Sequence, residues 1–194
     1  GRRRALVGRD TRVSGDFLAA ALSAGMSAGG FDVIDAGIIP TPGVAYLTSV
    51  LNVEMGAVIS ASHNPVEYNG IKFFNNQGYK LSDALEDEIE NIIMSHPEIL
   101  PSPTGIGLGT KEYAEDALDD YIAFLTRTTT EKFDGIKVAL DCANGAAYKA
   151  APIAMLDLGA SLCIIHNEPD GTNINDKCGS THMDDLKEMV VQNG

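Results

Sequence analysis

Cysteine is scarce in this sequence, and so is positive charge. Its three cysteines, Cys142, Cys163 and Cys178, are odd in number and form no Cys-x-x-Cys pair, so neither a disulfide framework nor a zinc cluster is expected to organise the fold. Reduced thiols in or near a core are the expectation instead. Lys and Arg number 14 against 27 Asp and Glu, for a formal net charge of −13. Nucleic-acid affinity rests on basic side chains that neutralise phosphates, so this balance argues against such a partner. Long apolar runs are also missing: none approaches the roughly 20 residues that cross a bilayer. The opening "GRRRALVGRD" has basic residues with no apolar stretch of signal-peptide length behind them. A cytoplasmic protein without a membrane partner is expected, and composition says nothing of oligomeric state.

What is present is a 44% hydrophobic content over 194 residues, enough to fill one large core or two small ones. Charge is spread unevenly. Residues 1–80 carry 7 basic and 6 acidic side chains, whereas residues 81–194 carry 7 and 21. The acidic half reads as solvated helix faces.

Short β-type runs alternate with helical ones. "RALVG" at 4–8, a helix over 15–29, "FDVIDAG" at 31–37 and a helix after Pro42 through Leu51 give the rhythm of a sheet layered with helices. "GAVISA" and "GIKFF" predict two more strands around the turn-bearing "NNQG". "SDALEDEIENII" predicts an amphipathic helix with Ser82 as its N-cap. "PEILPSPTGIGLGT" at 97–110 reads as a linker or irregular crossing, and 111–126 as helical. "GIKVALDCANGAAYKAAPIAMLDLGASLCIIHN" then repeats strand, glycine turn, helix and strand. "MDDLKEMVVQNG" predicts a helix with no strand after it, whereas crossovers normally return to the sheet, so the chain reads as part of a larger α/β protein. "GGFDVIDAG" and "GIGLG" lack the strand, glycine turn and helix order of a dinucleotide site.

The stretch "VISASHNPVEYNGIKFF" at 58–74 holds more than a turn needs. Asn, Gly and Pro would suffice for chain reversal, yet Ser62 and His63 directly follow a buried-type strand, where reactive groups of α/β sheets gather. Pro65 restricts Asn64 to extended or turn angles, which stiffens the loop around the Ser62 hydroxyl. Lys72 enters from the next strand and places a cation near any anion that the serine carries. By residue type alone, turn chemistry and capping explain such a loop equally well, and a loop that binds an anion through backbone N–H groups without catalysis is a further reading.

The ordered strings carry more. "SASHNP" followed by "NGIKFF" resembles the active-site serine loop of the α-D-phosphohexomutases, and "GRDTRVSG" at 8–15, "PTPGVAYL" at 40–47, "DCANGAA" at 141–147 and "CGSTH" at 178–182 resemble further stretches of that family in the same order. "ISASHNP" and "EPDGTNINDKCGSTH" are most similar to the branch acting on a phosphorylated hexosamine, with the glucose and mannose phosphate branches as the alternative. The resemblance implies an α/β fold of two consecutive layered domains with mixed sheets, 1–110 with the serine loop and 111–194 incomplete with a leading helix, from a four-domain phosphohexomutase. It implies that Ser62 carries the phosphoryl group, that Lys72 is a general acid/base or phosphate-neutralising group, and that His63 supports it. Arg9, Arg12 and Asn64 are implied as phosphate-binding, although an Asp10–Arg12 pairing that pins the loop fits as well. Cys178 and His182 are expected to pack a loop, since one Cys and one His complete no four-ligand set. The family's metal, Mg2+, is held by the phosphoserine and an aspartate loop of pattern D-G-D-x-D-R that does not occur in residues 1–194. Ser62 is therefore the one implied metal ligand here, and this stretch alone is expected to be inactive.

Overall fold

The computed structural model describes residues 2–193. Seven strands and six α-helices follow in the order β1 (Arg4–Arg9), α1 (Ser14–Ala28), β2 (Asp32–Ile38), α2 (Thr41–Val50), β3 (Met55–Ile59), β4 (Ile71–Asn75), α3 (Asp83–Ser95), β5 (Lys111–Tyr113), α4 (Ala117–Arg127), β6 (Lys137–Asp141), α5 (Ala150–Asp157), β7 (Ser161–Ile165) and α6 (Asp184–Asn193). Two sheets form. The first has five strands in the order β4-β3-β1-β2-β5, and the second pairs β6 with β7. In the first, β4 runs antiparallel to β3 and the other pairings are parallel. The β6–β7 pair is parallel.

The central strand β1 is covered on both faces, which is why its interior reads as an unbroken run of apolar and small residues rather than an alternation. Val7, Val33, Ala57 and Ile59 pack with Ala19 beneath α1. Leu6, Ile34, Val44, Leu47 and Val58 form the opposite layer with α2. Burying each large aliphatic side chain of this kind contributes about 1.5–3 kcal/mol. Gly8 makes the second layer possible, because a Cβ there would lie 2.6 Å from a Val44 methyl and 2.7 Å from an Ile39 methyl. The helix α2 thus approaches the carboxyl end of β1 without an intervening side chain.

That apolar layer does not stop at the first sheet. It runs through Tyr121 and Ile122 of α4 to Ala150 and Ala154 of α5, with Tyr46 stacked on Phe124 at 3.9 Å between ring centroids. Polar bonds add to the join: Val13 N donates to Gly171 O at 2.8 Å, and Thr11 Oγ1 to Asn144 O at 2.5 Å.

Residues 111–113 are not helical as expected but form β5 on the free edge of β2. Tertiary pairing overrides the local pattern here. Asp32 Oδ1 accepts bonds from Thr110 N at 2.9 Å and Thr110 Oγ1 at 3.0 Å, and Lys111 Nζ lies 2.7 Å from Asp35 Oδ2. The bond to Asp35 also holds the Lys111 ammonium above its usual pKa. The helix begins only at Ala117. Ser82 does occupy the N-cap position of α3, but its side chain makes no capping bond. No residue of α3 is buried. The segment 97–110 is irregular apart from two single 3-10 turns at Pro97–Ile99 and Gly105–Gly107.

Candidate active site

The strands β1 and β3 are parallel neighbours, so their carboxyl ends open on the same edge of the sheet, the edge where α/β proteins place their ligands. Asp10, Thr11 and Arg12 leave β1 there, and residues 60–70 leave β3. Asp10 N donates to Ile59 O at 3.0 Å and Ser60 N to Gly70 O at 2.9 Å, which closes the loop at its base. Asn69 ties it to α1 through Ser14 Oγ at 2.8 Å.

Ser62 is exposed at the crest. Its φ of 57° lies in the left-handed region, which costs a residue with a Cβ roughly 1–2 kcal/mol and persists only where the surroundings enforce it. The enforcing contacts are visible. Ser62 N donates to Ser60 Oγ at 3.1 Å, and the Ser62 carbonyl accepts from Arg12 NH2 at 3.1 Å.

Arg12 is the centre of this arrangement. Its side chain has no solvent exposure. Nε bonds Asp10 Oδ2 at 3.0 Å, NH1 donates to Pro65 O at 2.5 Å, and NH2 donates to Ser62 O and to Asn64 O at 2.9 Å. Asp10 in turn accepts the Arg12 backbone N–H at 3.1 Å. A guanidinium so engaged is not presented to a phosphate. Of the two readings open for Arg12, this geometry matches the Asp10 pairing that pins the loop, with the guanidinium as a strut beneath it. Arg9 shares the α1 face of β1 with Val7 and is held by Asp16 at 2.8 Å and Asp35 at 3.5 Å.

His63 and Asn64 are exposed beside Ser62, and Asn64 takes part in the loop's scaffold through its backbone carbonyl. Lys72 is half-buried in β4 opposite Val58, one residue from the strand end nearest the loop, and among the described residues it makes no ion pair.

Asn175 escaped the sequence reading. Its Nδ2 donates to Ser62 O at 2.9 Å and Asn64 O at 3.0 Å, from a loop more than a hundred residues downstream, and no local pattern could have signalled this. Cys178 also has a partner that the sequence did not suggest. It lies with His166 and Asp141: ligand atoms of Asp141, His166 and Cys178 lie within 4.8 Å of one another. Asp141 already accepts from Ala143 N at 2.8 Å, Gly179 N at 2.8 Å and His166 Nδ1 at 3.1 Å, so the carboxylate serves as a loop organiser. Burial, with Asp141 close by, pushes the Cys178 thiol up to about 11. Burial pushes Cys142 up to about 11 as well. Because the thiolate is the reactive form, both should resist a thiol reagent in the native protein at pH 8, while half-buried Cys163 reacts first. Labelling followed by peptide mapping checks this, and labelling of Cys178 at the rate of Cys163 would contradict it.

None of the described helices is long and apolar enough to cross a membrane. The model of a family described as phosphoglucomutase/phosphomannomutase, alpha/beta/alpha domain I, matches residues 1–99. Phosphoglucosamine mutase of Ruminiclostridium cellulolyticum is 58% identical over 187 residues, 96% of this chain and 42% of that protein. That of Acetivibrio thermocellus is 55% identical over 189 residues, 97% and 42% respectively. The crystal structure of a phosphoglucomutase/phosphomannomutase family protein from Burkholderia thailandensis superimposes with a TM-score of 0.79 at 27% identity, covering 98% of this chain and 41% of that one. The chain thus spans about two fifths of the length of these relatives. With more than half of its residues matching the family's first domain, and with an exposed serine at the carboxyl end of a parallel strand in the matched part, the chain belongs to the phosphoglucomutase/phosphomannomutase family.

Proposed function

We propose that this chain supplies the phosphoserine part of a phosphoglucosamine mutase, which interconverts glucosamine 6-phosphate and glucosamine 1-phosphate. The observation that carries the reading is Ser62 itself, exposed and held in a left-handed backbone conformation at a strand's carboxyl end. The identity of 54–58% to phosphoglucosamine mutases supports the choice of sugar. Reduced, mostly buried thiols suit a cytoplasmic setting. We propose the division into units at about residue 110, although α4 and β5 tie the following segment to the first sheet.

In the proposed cycle, phospho-Ser62 gives its phosphoryl group to the free O1 hydroxyl of glucosamine 6-phosphate, forming the 1,6-bisphosphate and leaving the serine with a hydroxyl. The hydroxyl proton of the sugar passes to a base, and the Ser62 oxygen takes up a proton as its bond to phosphorus breaks. After the sugar turns over in the site, Ser62 gives up that proton to a base and attacks the phosphoryl group on O6. The O6–phosphorus bond breaks, and O6 takes up a proton as glucosamine 1-phosphate is released. Phosphoryl transfer asks mainly for in-line positioning and neutralisation of the equatorial oxygens. The fixed backbone of Ser62 serves the first need. Lys72 is proposed for the second and for proton transfer, with His63 in support at the exposed crest. Asn64 takes a scaffold role through its carbonyl.

Magnesium is the metal we propose, and when bound it neutralises charge on the transferring group. The described residues do not form its site by themselves. A magnesium ion needs about six oxygens in octahedral array, whereas Ser62 offers one group, Asp10 is bound to Arg12 and Asp141 is occupied by three donors.

The test uses the full-length protein purified free of host mutase. Conversion of glucosamine 6-phosphate, together with an intact mass one phosphoryl group heavier and a phosphate mapped to Ser62, is the expected result. Faster turnover of glucose or mannose phosphates would move the reading to another branch. A phosphate-free protein with no mutase activity would overturn it.

A further inference from the structure

We propose that Asn175 is a positioning residue for Ser62: its side-chain amide, reaching over from the 172–178 loop, completes the bonding of the two carbonyls that set the direction of the nucleophile. This proposal rests on the phosphoserine reading above. A backbone carbonyl has two lone pairs. Each of the Ser62 and Asn64 carbonyls accepts one bond from Arg12 NH2, at 3.1 and 2.9 Å, and one from Asn175 Nδ2, at 2.9 and 3.0 Å. Both acceptors are thereby saturated, from below by a buried cation and from above by a neutral amide. With Ser62 N held by Ser60 Oγ, the peptide planes on both sides of Ser62 are fixed, and χ1 is the main freedom left to its Oγ.

Asn175 is itself built for this task. It adopts a φ of 58°, a conformation that Asn tolerates better than most residues. Its backbone N–H is anchored on Ala143 O at 3.0 Å, and the preceding Ile174 is 4% exposed. The amide is therefore projected from a fixed base. Its orientation is unambiguous, because both partners are carbonyl oxygens that only the NH2 end can serve. An aspartate in its place would set a carboxylate against two carbonyl oxygens.

The experiment compares wild-type full-length enzyme with Asn175→Gly, Asn175→Asp and Ser62→Ala. Glycine accepts the positive φ, so Asn175→Gly removes the amide without adding backbone strain. Misplacement of a reacting group by about an ångström costs on the order of 100-fold. In Asn175→Gly, kcat is expected to fall about 10- to 100-fold with KM within about twofold, the thermal midpoint within a few degrees of wild type, and Ser62 still open to phosphorylation. Asn175→Asp is expected to lose at least as much. Unchanged kcat in Asn175→Gly overturns the proposal, and so does a loss of activity that only tracks the fraction of folded protein. Wild-type turnover in Ser62→Ala is a separate result that would overturn the phosphoserine reading and this inference with it.

Discussion

Replacing Ser62 with alanine in the full-length protein should lower mutase turnover by several orders of magnitude, the scale of losing a covalent nucleophile. The acceptor oxygen is gone, and His63 beside it is no substitute, since the fixed loop aims the Ser62 position and not its neighbour. Glycine at the same position separates chemistry from strain. Ser62→Gly should be equally inactive, yet roughly 1 kcal/mol more stable than Ser62→Ala, because φ of 57° burdens alanine and not glycine. Steady-state assays and calorimetric melting of the two variants measure the two effects. Residual turnover within tenfold of wild type would remove Ser62 from the nucleophile's role.

The second large effect belongs to stability. Arg12→Met should destabilise the protein by about 3–5 kcal/mol, the usual result of stripping one partner from a buried ion pair. Asp10, at 3% exposure, would keep its charge in a low-dielectric site with only the residue 12 backbone N–H as donor. The carbonyls of Ser62, Asn64 and Pro65 would each lose a bond. The melting temperature should drop by about 10 °C or more. Coupling the change to Asp10→Asn should recover part of the loss, since the uncompensated charge is then removed. A melting point within 2 °C of wild type, by this same conversion, would show that the guanidinium is not the strut its geometry describes.

The serine loop was legible in the sequence because its signals are local: a buried strand, then Ser-His-Asn-Pro, then a strand bearing a lysine. These are β3, the 60–70 loop and β4 of the fold. Arg9 and Arg12 show where such reading stops. Both sit near the same strand end, but two residues of alternation and one turn send Arg9 to the α1 face and Arg12 beneath the loop, and only the positions of Asp16, Asp35 and Asp10 decide their partners. Lys111–Tyr113 was misread because a three-residue strand has too few positions to show a period, and the open edge of β2 supplied its pairing. His166 meets Asp141 because parallel β6 and β7 end side by side, whereas Asn175 depends on loops meeting across the two sheets, which no spacing along the chain encodes.

The double bonding of the serine loop also has a consequence in time. Arg12 and the carbonyls it holds are separated by 50 to 53 positions, so that contact can form soon after the loop is made. The Asn175 contacts span 111 and 113 positions. At synthesis rates of about 5–20 residues per second, the intervening stretch takes roughly 5–20 s to appear. During that interval the loop on a nascent chain has its lower support and lacks its upper one, so the carbonyls of Ser62 and Asn64 gain their second bond only after a distant segment has emerged from the ribosome and docked.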